Sequence, residues 1–104
     1  MIDEALLDEF RGPGVCEYCG NRVALREPHH WKARGMGGGG RLDIRGNLIA
    51  LCATFNGNDC HNRAHALKID RRDLLAIIAK REKRTPESIV EELFELLRRK
   101  KGYT

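Results

Sequence analysis

Long apolar runs are missing from this 104-residue chain. Spanning a bilayer takes about 20 consecutive apolar residues, so no membrane-spanning helix is expected. An export signal is missing too: Met1 to Phe10 holds four acidic residues and no Lys or Arg, where a signal peptide opens on positive charge. A cytoplasmic setting follows as the expectation. Also lacking is the length for two separate cores, which points to one small domain and away from multi-step metabolic chemistry on a large cofactor. Disorder is excluded from the other side, because 41% of the residues are hydrophobic against 33% charged.

What the chain does have is four cysteines. In a reducing compartment four thiols point to metal before disulfides. Cys16 and Cys19 form a Cys-x-x-Cys knuckle, a turn tight enough to aim two sulfurs at one tetrahedral ion, and Gly20 permits the backbone it needs. Cys52 and Cys60 supply the second half, although seven residues separate them where a standard knuckle has two. Structural zinc also explains how so short a chain folds on so modest a core. Four thiolates and one divalent ion together contribute −2, lowering the formal net charge from +4 to +2. Distribution therefore matters more than total: from Arg26 to Arg72 there are nine Lys or Arg against four acidic residues, a positive middle that suits a polyanion.

Periodicity gives a coarse order of elements. Ile2 to Phe10 reads as a short amphipathic helix that Gly12-Pro13-Gly14 stops. Val23 to Trp31 reads as a strand, Arg34 to Arg41 as a glycine-rich loop, and Asp43 to Cys52 as a second strand. A helix then begins near Cys60 and runs to Leu67. In the last third, Asp70 or Asp73 caps a helix carrying Leu74, Leu75, Ile77 and Ile78, and Thr85-Pro86 opens another with Ile89, Val90, Leu93, Phe94, Leu96 and Leu97 on one side. These two helices are expected to pair as a hairpin that completes the core, or else to offer a dimerisation face.

The four histidines fall into two pairs. His29 and His30 are adjacent on a strand, so their rings face opposite sides and serve different roles. His61 and His65 are four apart, which on a helix puts both on one face. One strand histidine and two helix histidines can hold a divalent ion and leave positions open for a phosphate oxygen and water, with the other strand histidine free to act as a base. Any of the four taken singly reads more simply as a surface or satisfied core residue.

Together these pieces resemble an HNH endonuclease of the ββα-metal type: Cys16-x-x-Cys19, His29-His30, the glycine-rich loop, Asn47-Leu48-Ile49-Ala50-Leu51-Cys52, then Cys60-His61 and His65. Small phage-associated nicking enzymes with a zinc ribbon are similar. The resemblance covers about half the chain and implies His30 as the general base, Asn47 as the residue that ties the inter-strand loop and orients the base, and His29, His61 and His65 as ligands of a catalytic ion. Cys16, Cys19, Cys52 and Cys60 would hold structural zinc.

The expected architecture is α+β: residues 1–15 a short N-terminal helix, 16–68 a ββα-metal core stapled by a four-cysteine zinc ribbon, and 69–104 a helical hairpin packed on it. The expected function is metal-dependent hydrolysis of DNA phosphodiesters, one strand at a time, by a monomer or weak homodimer acting on duplex DNA. An all-imidazole ligand set favours Mn²⁺, with Co²⁺, Ni²⁺ and Mg²⁺ as alternatives. Lys32, Arg34, Arg41, Arg45 and Arg63 are candidate contacts to the DNA backbone, or solvated charges. Trp31 reads as a wall of the site rather than a base-stacking residue. The rival from another class is a non-catalytic zinc-ribbon DNA-binding module.

Overall fold

The computed structural model describes residues 2–32, 42–54 and 59–100. Arg34, Arg41 and the glycine-rich loop expected between them lie outside the described residues.

Helix α1 covers Glu4–Asp8, with the Asp3 carboxylate accepting from Leu6 N–H at its start. Three antiparallel strands follow in the spatial order β1-β2-β3: β1 (Gly12–Val15), β2 (Arg22–His30) and β3 (Leu48–Cys52). Strand β1 departs from the sequence expectation, which read Gly12-Pro13-Gly14 only as a helix stop. Proline is tolerated there because β1 is an edge strand, with β2 as its one partner in the sheet. Pairing shifts register between Gly12 and Gly14. At Gly14 a Cβ would lie 2.6 Å from the Arg26 guanidinium carbon that crosses the strand, so a side chain there would displace the end of that arginine.

The second expected strand is also shorter than its sequence pattern. Residues Arg45–Asn47 form a single 3-10 turn, closed by Asn47 N–H to the Ile44 carbonyl at 2.9 Å, and extended structure begins only at Leu48. The reason is local: the turn sends the Asn47 side chain inward, where it accepts from Lys32 N–H at 2.7 Å and donates to the carbonyls of Lys32 (3.1 Å) and Leu42 (3.0 Å). A continuous strand through 43–47 would forgo those bonds and leave a buried amide unsatisfied.

Helix α2 (Cys60–His65) is capped by Asp59, α3 (Arg71–Glu82) by Asp70, and α4 spans Pro86–Lys100. Between the last two, Lys83 adopts left-handed backbone, which reverses the chain and lets Thr85 Oγ1 accept Ser88 N–H. On β3 the period of two separates two cores. Ile49 and Leu51 face α2, α3 and α4, joining Leu74, Ile78, Ile89 and Leu93 in the larger cluster. Leu48 and Ala50 face the other way, onto Leu7 and Phe10 beside α1. The hairpin α3–α4 therefore covers one face of the sheet and α1 the other, while α2 stands beside the end of β2 that carries the histidine pair. No helix among the described residues is long and apolar enough to cross a membrane.

Candidate metal centre and active site

Two groups of metal-ligating side chains form around α2, one taking Cys60 from it and the other His61 and His65. In the first, one sulfur from each of Cys16, Cys19, Cys52 and Cys60 lies within 4.8 Å of the others, and all four thiols are free. Four sulfurs around a tetrahedral zinc stand about 3.8 Å apart, so the cluster needs only a small contraction. The long gap between Cys52 and Cys60 is absorbed outside the cluster. Thr54 donates to Asp59 Oδ2 from both its backbone N–H (2.8 Å) and its hydroxyl (2.9 Å), which ties the residue two after Cys52 to the one before Cys60. Cys60 N–H then reaches Cys52 Sγ at 3.4 Å, a donor aimed at a thiolate.

The electrostatics fit a bound cation. Burial pushes the Cys16 thiol up, but backbone N–H groups of Cys19, Cys52 and Tyr18 outweigh it and bring it down to about 7. Cys52 and Cys60 are raised, by burial first, and neighbouring sulfurs raise Cys60 further. Four sulfurs this close cannot all ionise without a cation among them. The donor set, soft and closed, suits structural zinc.

The second group comprises His29, His61 and His65, each offering one ring nitrogen within 4.8 Å of the others. Helical spacing makes this possible: His61 and His65 lie one turn apart on α2, with their Nε2 atoms 3.1 Å from each other. Two nitrogens each about 2.0–2.2 Å from one ion stand about 3.0–3.4 Å apart, which matches. His29 approaches from β2, its ring centroid 4.9 Å from that of His65 and 5.7 Å from that of His61. Its Nδ1 is buried without a hydrogen-bond partner, the kind of orphan that costs stability unless something else satisfies it. Burial, then the charges of His65, His61 and His30 and of the Arg71 guanidinium, push His29 down to about 4. His61 is lowered as well, by burial first and His65 second. Both rings are therefore held neutral at pH 7, the form that ligates metal. His65 is exposed, so the group opens to solvent on one side.

His30 points to the other side of the strand, as alternation requires, and finds a partner the sequence did not advertise. Its Nε2 lies 2.7 Å from Asp43 Oδ1, and the Asp43 side chain is wholly buried. Asp43 is held in turn by Asp3 N–H, which donates to Oδ2 at 2.8 Å. Asn47 bonds to the backbone of Lys32 and Leu42 rather than to the His30 ring.

Both strand histidines line one cavity of about 490 Å³, together with Trp31, Lys32, His65 and Arg71. Trp31 is its wall, donating Nε1–H to the Arg71 carbonyl at 2.8 Å. Among the expected cations, Lys32 lines this cavity and Arg63 is exposed on α2. Arg45 belongs to a different surface, where it pairs with Glu82 at 3.2 Å and Glu9 at 3.3 Å beside Phe10. Asp43 and Arg71 are the residues that sequence reasoning missed. Neither sits in a periodic pattern, and each meets the site through a contact spanning 13 residues or more.

Two antiparallel strands and a helix, with histidines on the strand and helix and an asparagine bracing the loop, define a ββα-metal nuclease core. The family model for HNH endonuclease matches residues 16–67, half of the chain, and the chain belongs to that family. Comparison with curated proteins and with solved structures gives no significant match. Membership implies a metal-dependent nuclease that acts on DNA.

Proposed function

We propose that this protein is a DNA endonuclease that nicks one strand of a duplex, with His30 as general base and His29, His61 and His65 holding the catalytic divalent ion. The observation that carries the reading is the cluster of His29, His61 and His65 beside a cavity lined by two of its rings, His29 and His65, and by His30, whose ring is paired to a buried carboxylate. A carboxylate oxygen accepts, so Asp43 holds His30 in the tautomer whose Nε2–H donates to it, with the lone pair on Nδ1. From Nδ1 the ring removes a proton from water as that water attacks phosphorus in line. The bond to the 3′ oxygen breaks, giving a 5′-phosphate and a 3′-hydroxyl. Asp43 also stabilises the imidazolium that results, and Asn47 keeps the backbone at Lys32 and Leu42 in place. When bound, the divalent ion supplies positive charge to the non-bridging and leaving oxygens in the phosphorane-like transition state.

Neutral imidazoles are softer donors than Mg²⁺ favours. Mn²⁺, Co²⁺ or Ni²⁺ should therefore support cleavage at least as well as Mg²⁺, with zinc confined to the four cysteines. Lys32 and Arg63 would contact the DNA backbone, and the proposal extends to Arg34 and Arg41. Arg45 is less suited, because two carboxylates already neutralise it. One site per chain makes a monomer, or a weak homodimer, a nicking enzyme of the cytoplasm.

Conversion of supercoiled plasmid to open circles tests this directly. His30→Ala should lower nicking at least about 100-fold, the usual scale of a lost acid-base group, while DNA affinity stays within a few-fold. Undiminished nicking by that variant would remove His30 from the mechanism. A parent protein that binds DNA but never nicks it, whatever the divalent ion, would favour the non-catalytic DNA-binding module.

A further inference from the structure

We propose that Arg71, at the start of α3 and beyond the residues that define the family, binds a DNA phosphate next to the scissile one. The hairpin α3–α4 thereby becomes part of the substrate site as well as of the core. This rests on the nuclease reading for which phosphate is cut, but not for the phosphate contact itself.

Three observations support it. First, Arg71 lines the same cavity as His29, His30 and His65. Second, its guanidinium is held in place before any ligand arrives. Nη2 donates to the Trp31 carbonyl at 3.1 Å, and the guanidinium carbon lies 4.4 Å from the centre of the Trp31 ring. A fixed planar fork recognises phosphate in bidentate fashion at little further entropic cost. Third, Arg71 has no acidic partner among the described residues. By contrast, Arg45, Arg72, Arg81, Arg84 and Arg98 each pair with a carboxylate. Four of the five N–H groups of Arg71 remain without a partner among the described residues. Arg22, Arg26 and Arg63 also lack a carboxylate partner among the described residues, but none of them lines this cavity; a guanidinium held in place and unpaired at its mouth is a site for an anion. Lys32 on the same wall extends the positive surface.

The test uses full-length, zinc-loaded protein carrying His30→Ala, so that substrate stays intact, and a fluorescein-labelled mixed-sequence DNA duplex titrated at several salt concentrations. Arg71→Ala should weaken binding about tenfold and reduce the slope of log affinity against log salt by about one, the signature of a lost phosphate contact. Arg71→Lys should restore the slope while recovering only part of the affinity, since a point charge replaces a fork. Arg72→Ala, on the adjacent residue that Asp70 already neutralises, should change neither quantity. A purely structural role predicts the reverse: a lower melting temperature for Arg71→Ala with the salt slope untouched. Unchanged affinity and slope in Arg71→Ala, or an equal loss in Arg72→Ala, overturns the proposal. Cleavage by the otherwise native chain separates the two readings. If that chain nicks plasmid and Arg71→Ala binds normally, only this inference fails. If it never nicks but the Arg71 effect appears, the nuclease reading fails and the phosphate contact stands.

Discussion

Leu67 breaks a local rule. It follows α2 with φ at +58°, in the left-handed region, and leaves 76% of its surface exposed. Lys68 N–H bonds to the Arg63 carbonyl at 2.9 Å and Leu67 N–H to the Ala64 carbonyl at 3.1 Å, the pair of bonds that ends a helix on a residue that is usually glycine. A leucine there is strained by about 1 kcal/mol and returns nothing in burial. Leu67→Gly should therefore raise the unfolding free energy, by up to about 0.5 kcal/mol once the extra entropy of an unfolded glycine is counted. Denaturant melts of the two zinc-loaded proteins check this. A loss of stability would mean that the exposed leucine makes a contact that compensates for its backbone.

At the scale of elements, the join between sheet and hairpin runs through one arginine. Arg81, on α3, donates to the carbonyls of Arg45 (2.6 Å) and Leu48 (2.9 Å), where the 3-10 turn enters β3, and to Glu17 Oε1 (2.7 Å) in the cysteine knuckle. Glu17 also accepts Ala50 N–H, and Glu82 pairs with both Arg81 and Arg45. Helix, knuckle and strand are thus tied through a few half-buried charges. Burial pushes the Glu82 carboxyl up, but the Arg81 and Arg45 guanidiniums outweigh it and hold it below the usual carboxylate range. A carboxyl lowered in the folded state stabilises fully above its unfolded value, about 4.3, and loses that contribution as pH falls through the folded value. Glu82→Gln should then cost about 1 kcal/mol near pH 7, with the gap to the parent shrinking below about pH 4. A gap of equal size at pH 7 and pH 2 would contradict the ion-pair account.

For the molecule as a whole, the cysteine cluster brings together the knuckle, the end of β3 and the start of α2. Cys16 and Cys19 lie beyond β1, Cys52 ends β3 and Cys60 begins α2, so one ion held by them would fix the helix that carries His61 and His65 relative to the sheet that carries His29. Structural zinc of this kind contributes folding free energy outright. Removing the metal with a strong chelator, or replacing Cys16 with Ser, should lower stability by at least about 3 kcal/mol and remove DNA cleavage together with it, followed by far-UV circular dichroism during thermal melts. A melt indifferent to chelator and to Cys16→Ser would mean that the four thiols hold no structural ion. Light scattering on the loaded protein distinguishes the monomer from a homodimer.

Much of the site was legible because metal chemistry is written in residue type and short spacing. The Cys16–Cys19 knuckle, the pair His61 and His65 one helical turn apart, and the alternation that separates His29 from His30 all follow from the local geometry of turn, helix and strand. Strand β1 was not legible, since Gly-Pro-Gly has no strand propensity and is extended only because β2 offers it a partner. The roles of Asp43 and Arg71 were not legible either. A single acid or base in the sequence carries no period, and what it meets depends on chain segments far away that close over the sheet. Residue chemistry and spacing thus determined what could bind metal and which fold would present it. Long-range packing alone decided which carboxylate reached the fourth imidazole and which arginine came to line the cavity beside it.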